Sequence, residues 1–193
     1  MKSPQPLEGI IFDLDGTLVD SRLDFTTIRA ELACPEGVGV LEFIDGLPAD
    51  RQHQAHQVVK HHERQGAERA RWMPGARQCL QQVRDQGLPT AILTRNAREI
   101  AQLTMARLGI EVDVMLARED CAPKPSPQGL LMIAAQWGCD PQRLVYVGDF
   151  IYDLQAARRA GMAACYYDPT DSGRFVGDAD WHIRHFDELL AGD

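Results

Sequence analysis

The chain has 193 residues, 45% of them hydrophobic, and a formal net charge of −8 at pH 7. That length suits one domain or a domain with a small insertion, and the apolar content is enough for a real core. The negative balance lacks the basic field of a nucleic-acid or acidic-membrane binder, so neither partner is expected. Five cysteines (34, 79, 121, 139 and 165) form no Cys-x-x-Cys pair and read as reduced thiols of a cytoplasmic protein. No apolar run approaches the ~20 residues of a membrane span. Residues 1–9 carry no apolar stretch of the kind that forms a leader.

The first element is an apolar run, Ile10-Ile11-Phe12, that enters Asp13 directly and reads as a strand buried on both faces. Asp13 and Asp15 then stand one residue apart at its end, and Gly16 permits a tight turn. Two like charges there cost free energy unless a cation or a proton relieves them. Between Ser21 and Trp72 no strand-like run appears. Leu23, Ile28 and Leu32 predict one helix, 38–44 a short second one, and Pro48 with Asp50 opens a long polar helix to about Arg71. So little apolar face does not suit a core element, so 21–72 is expected to be an inserted helical cap.

From Pro74-Gly75 the pattern changes to alternating strands and helices. Strands are predicted over 89–94, 112–116, 144–148 and 163–166. Helices are predicted over 76–86, 97–108, 127–137 and 150–159, with a short strand and helix within 179–190. Alternation of this length implies right-handed βαβ units and a parallel sheet covered by helices on both faces. The fold expected is therefore a doubly wound α/β core over 1–20 and 73–193, carrying the small helical cap. In such sheets ligands bind outside the carboxyl ends of the strands. Four groups fall there: Asp13 and Asp15; Thr94, Arg95 and Asn96; Lys124 in a loop; Asp149 and, one helical turn on, Asp153.

Alone, each group has a plain structural account. Thr94 could cap the next helix, Asp149 and Asp153 could favour a helix N-terminus, and Lys124 could be solvated. In this order, at these strand ends, the set resembles the four motifs of the haloacid dehalogenase superfamily. Those are Asp-x-Asp-Gly-Thr, a Thr or Ser after the second strand, a Lys, and Gly-Asp-x-x-x-Asp. An insertion between the first two motifs resembles the branch of phosphoglycolate phosphatase and β-phosphoglucomutase. The insertion here is shorter than that branch's usual cap, and Arg95 separates Thr94 from Asn96; both departures bear on the substrate.

The resemblance implies a Mg²⁺-dependent phosphatase acting on a small phosphorylated metabolite, as a monomer or homodimer. By position, Asp13 would be the nucleophile and Asp15 the general acid and base. Thr94 and Lys124 would hold the phosphoryl group, and Arg95 or Asn96 would contact substrate. Asp13, the Asp15 carbonyl and Asp149 would hold the metal, with Asp153 placing a metal-bound water or Lys124. A phosphomutase and a non-catalytic binding protein are the alternatives. The cap histidines 53, 56, 61 and 62 read as a solvated polar face rather than a metal site.

Overall fold

The computed structural model describes residues 6–190; the leader reading of residues 1–5 and residues 191–193 lie outside that range. In chain order, β1 (Gly9–Phe12) and β2 (Val19–Asp20) precede α1 (Phe25–Leu32), α2 (Val40–Asp45), α3 (Ala49–Arg69) and β3 (Arg71–Trp72). Then come α4 (Ala76–Asp85), β4 (Thr90–Leu93), α5 (Arg98–Leu108), β5 (Val114–Leu116) and α6 (Gln128–Trp137). The chain continues through β6 (Leu144–Gly148), α7 (Ile151–Ala160), β7 (Ala163–Tyr167), β8 (Trp181–Ile183) and α8 (Asp187–Leu190).

Six strands form one sheet in the order β5-β4-β1-β6-β7-β8, and every neighbouring pair is parallel. The two-residue strand period sends alternate side chains into two separate apolar layers. Ile10 and Phe12 pack with Val83 of α4 and Ala101 of α5, whereas Ile11 packs with Ile133 of α6 and Leu154 of α7. Helices therefore cover both faces, which is why β1, β4 and β6 are buried along their whole length. The expected doubly wound α/β fold is what the chain forms. The chain reverses its direction of growth beside β1, which pairs with β4 on one side and β6 on the other. That reversal opens the crevice above the strand ends.

Residues between β2 and β3 are helical, with a small core of their own made by Ile28, Ile44, Ala55 and Val59. The far end of α3 is seated on the sheet's outer helices. Ala67 packs against Ala97 and Ile100, and Lys60 Nζ lies 2.6 Å from Glu99 Oε2. A Cβ on Gly66 would come within 2.9 Å of the Ser21 carbonyl oxygen, so only glycine allows α3 to approach this closely.

One difference from the sequence reading concerns the region's ends. Arg71–Trp72 pairs antiparallel with Val19–Asp20, so a strand does occur at the close of the 21–72 stretch. Two residues are too short to display an alternation, and only the partner strand makes them one. Trp72, Trp137 and Trp181 pack against the two cores, and Trp72 Nε1 also donates to the Leu108 carbonyl at 3.2 Å. Among the described residues, no helix is long and apolar enough to cross a membrane.

Candidate active site

Asp13 extends β1 by one ladder bond, its N–H donating to the Val147 carbonyl at 2.9 Å. Beyond it the chain turns sharply: Gly16 has φ +81° and its N–H donates to the Val19 carbonyl at 2.8 Å. A Cβ on Gly16 would lie 2.4 Å from Asp149 Oδ2. This position thus needs glycine twice, for its left-handed backbone and for the close approach of a carboxylate.

Lys124 joins three of the four strand ends. Its buried ammonium donates to Asp13 Oδ1 at 2.7 Å, Asp153 Oδ1 at 2.6 Å and the Tyr146 hydroxyl at 2.9 Å. Tyr146 in turn donates to the Leu93 carbonyl at 3.0 Å, which connects β6 to the end of β4. Asp153 also receives the Phe150 N–H at 3.0 Å and closes the first turn of α7. The flanking carboxylates hold the Lys124 ammonium above its usual pKa against the opposing effect of burial.

The carboxylates differ in their surroundings. Burial pushes Asp13 well above the usual carboxylate range, opposed by the neighbouring Lys124. Burial, then the charge of Asp153, pushes Asp149 up to about 7, although the Thr17 hydroxyl donates to it at 3.3 Å. Asp15 has a different partner and receives the Asn96 side-chain amide. Burial raises Asp15 as well, while Ser21 and Asn96 favour its charged form. Thr94 does not cap α5, whose N-cap is Ala97; its hydroxyl accepts the Asn96 N–H at 3.1 Å and shapes the turn after β4.

Asp13, Asp149 and Asp153 each place a carboxylate oxygen within 4.8 Å of the others. One ammonium, that of Lys124, faces these acids. An oxygen-only donor set of this charge suits a hard divalent cation. Among the described residues, the histidines of α3 are not part of this cluster.

The crevice continues into a cavity of about 850 Å³ bounded by the sheet's strand ends and by α1 and α2. Arg95 lines it and pairs with Glu42 of α2, its guanidinium 5.2 Å above the Tyr152 ring. Two contributors were not legible in the sequence. Tyr146 was one apolar position of a strand, and Glu63 a charge on a polar helix. Glu63 is buried and receives two bonds from Arg118, at 3.1 and 3.2 Å. The one local signal for Glu63 is its place a helical turn before the small residues Gly66 and Ala67, which permit close packing.

Residues 7–161 match the family model described as haloacid dehalogenase-like hydrolase. The chain is similar to N-acetylmuramic acid 6-phosphate phosphatase of Pseudomonas aeruginosa, 26% identical over 95% of this chain and 93% of the relative. It is also similar to phosphoglycolate phosphatase of Chromobacterium violaceum, 29% identical over 82% of this chain and 83% of the relative. Among solved structures, a haloacid dehalogenase-like family hydrolase from Streptococcus pneumoniae superposes with a TM-score of 0.76. That likeness, at 22% identity over 96% of this chain and 97% of the other, concerns the fold. With the family model spanning all four strand-end groups, the chain belongs to the haloacid dehalogenase-like hydrolases.

Proposed function

We propose that this hydrolase is a Mg²⁺-dependent cytoplasmic phosphatase that cleaves a small phosphomonoester through an aspartyl-phosphate on Asp13. The observation that carries the reading is the Lys124 ammonium, shared by Asp13 at 2.7 Å and Asp153 at 2.6 Å, beside a second acid, Asp15, with separate partners. Two carboxylates in different environments at one strand end suit two different tasks. The phosphatase names of the relatives from Pseudomonas aeruginosa and Chromobacterium violaceum point the same way.

In this mechanism an Asp13 oxygen attacks phosphorus as the bond to the leaving oxygen breaks. Asp15, oriented by Asn96, gives its proton to the departing alkoxide. It then takes a proton from water, whose oxygen attacks phosphorus and releases inorganic phosphate and the free Asp13 carboxylate. Lys124 and Thr94 neutralise and hydrogen-bond the phosphoryl oxygens as charge spreads over them. Asp13, Asp149 and the Asp15 carbonyl would hold Mg²⁺, which supplies positive charge against the repulsion between carboxylates and phosphate. Asp153 fixes Lys124. Residues 21–72 act as a cap on the leaving-group side, and Arg95 and Asn96 border that space.

The test is hydrolysis of p-nitrophenyl phosphate and a panel of small phosphomonoesters with and without Mg²⁺. Asp13→Asn should retain the fold and lose turnover. Unchanged turnover in that variant, or full activity in excess chelator, would overturn the proposal.

A further inference from the structure

Six large hydrophobic side chains are exposed among the described residues, and three of them, Phe25, Val38 and Phe150, line the cavity above the acids. Exposed apolar groups gathered at one cavity mark a surface that a ligand covers. Phe25 is 57% exposed and opens α1; Phe150 is 41% exposed and lies between Asp149 and the first turn of α7.

The position of Phe150 is set by the catalytic framework. Its N–H donates to Asp153, the residue that also holds Lys124, so its main chain is tied to the proposed phosphoryl site. Its aromatic neighbours do not cover it flat. Tyr152 and Phe175 meet it nearly perpendicular, at 82° and 80°, with centroids 5.2 and 5.5 Å away. Both neighbours already carry guanidinium groups: Arg95 stands 5.2 Å from the Tyr152 centroid, and Arg174 stands 4.9 Å from that of Phe175. Among the described residues, Phe150 has no such partner.

We infer that the leaving alcohol of the substrate carries a flat ring that stacks on Phe150, with Phe25 of the helical insert closing over it. The inference rests on the phosphatase reading and narrows it to ring-bearing phosphomonoesters. A small hydroxy acid such as glycolate would leave these side chains in water and gain nothing from them. A ring gains both apolar burial and aromatic stacking. Arg95 and Arg174 flank the shelf and suit polar substituents on the ring's edge.

Binding can be measured without turnover, using phosphonates that cannot be hydrolysed. Calorimetry with Mg²⁺ would compare methyl-, n-butyl- and benzylphosphonate. Benzylphosphonate should bind ~10-fold or more tightly than the methyl compound, the scale of one aromatic stack, and more tightly than the butyl compound. Phe150→Ala and Phe25→Ala should each remove most of that preference, whereas Phe150→Tyr should keep it. Both rings are exposed, so a melting curve can verify that the alanine variants are folded. In turnover, Phe150→Ala should raise KM for a ring-bearing ester more than it lowers kcat.

Equal affinity for benzyl and butyl compounds, or a preference that survives both alanine variants, overturns the inference. If phosphoglycolate is turned over while no benzyl preference exists, the phosphatase reading stands and the ring proposal fails. If the benzyl preference is present but no phosphomonoester is cleaved, the ring site stands and the phosphatase reading fails.

Discussion

Replacing Arg118 by Ala removes the partner of a carboxylate that has almost no access to water. Glu63 has a side-chain exposure of 7% against 18% for Arg118, and two N–H···O bonds at 3.1 and 3.2 Å join them. Removing one partner of a buried pair costs about 3–5 kcal/mol. Glu63 keeps a little access to water, which places the loss near the lower end, about 3 kcal/mol. For a chain of this length that corresponds to a fall in Tm of ~6–12 °C. Glu63→Ala should cost less, because the stranded guanidinium is the partly solvated member of the pair.

The same pair sets a pH signature. Burial raises the Glu63 carboxyl above its ordinary value of 4.5, and Arg118 opposes the rise. A folded-state pKa above the unfolded one contributes stability that is present below the unfolded value and lost as pH climbs through the folded one. Without Arg118 the rise is larger, so the deficit of Arg118→Ala relative to wild type should be smallest near pH 4.5 and grow as the pH rises above it. Urea unfolding of both proteins across that range measures it. A deficit below about 1 kcal/mol, the worth of an exposed pair, would refute the reasoning. So would a deficit that does not change with pH.

Asp15→Asn should lower turnover by ~10²–10⁴ and leave Mg²⁺ affinity intact, since a backbone carbonyl is the proposed ligand there; a collapse of affinity in calorimetry would show that the side chain binds the metal. Gly16→Ala puts a methyl group 2.4 Å from Asp149 Oδ2 at a φ of +81°, so Mg²⁺ affinity and thermal stability should both fall. Retention of both would mean that the turn relaxes freely.

The helical insert is the part on which sequence and tertiary structure diverge most. Strand-like runs are absent from Ser21 to Trp72 and resume only after it, with proline and glycine near the helix ends, which is why this stretch reads as an insertion. The short pairing of Val19–Asp20 with Arg71–Trp72 was not visible, because a strand of this length is defined by its partner. Nor was the seating of α3 on α5 visible. Ala67, Gly66 and Glu63 lie in a polar helix, and their burial depends on the surface presented by Ala97, Ile100 and Arg118.

The strand ends were another matter. Apolar runs such as Ile10-Ile11-Phe12 and Leu144-Val145-Tyr146-Val147 can be buried on both faces only in a covered parallel sheet, and parallel pairing brings their carboxyl ends together. Local sequence therefore determined that Asp13, Asp15, Thr94, Lys124 and Asp149 would share one crevice. It did not determine which group bonds to which. Tyr146 reaches Lys124 only because its strand's register points it toward the Leu93 carbonyl, and Asn96 reaches Asp15 only across the gap between β4 and β1. Side-chain direction across a sheet depends on register, and register is a property of the assembled strands. The exposed face of Phe150 has the same origin: burial is decided by what the rest of the chain leaves uncovered, and that exists only once the chain has folded.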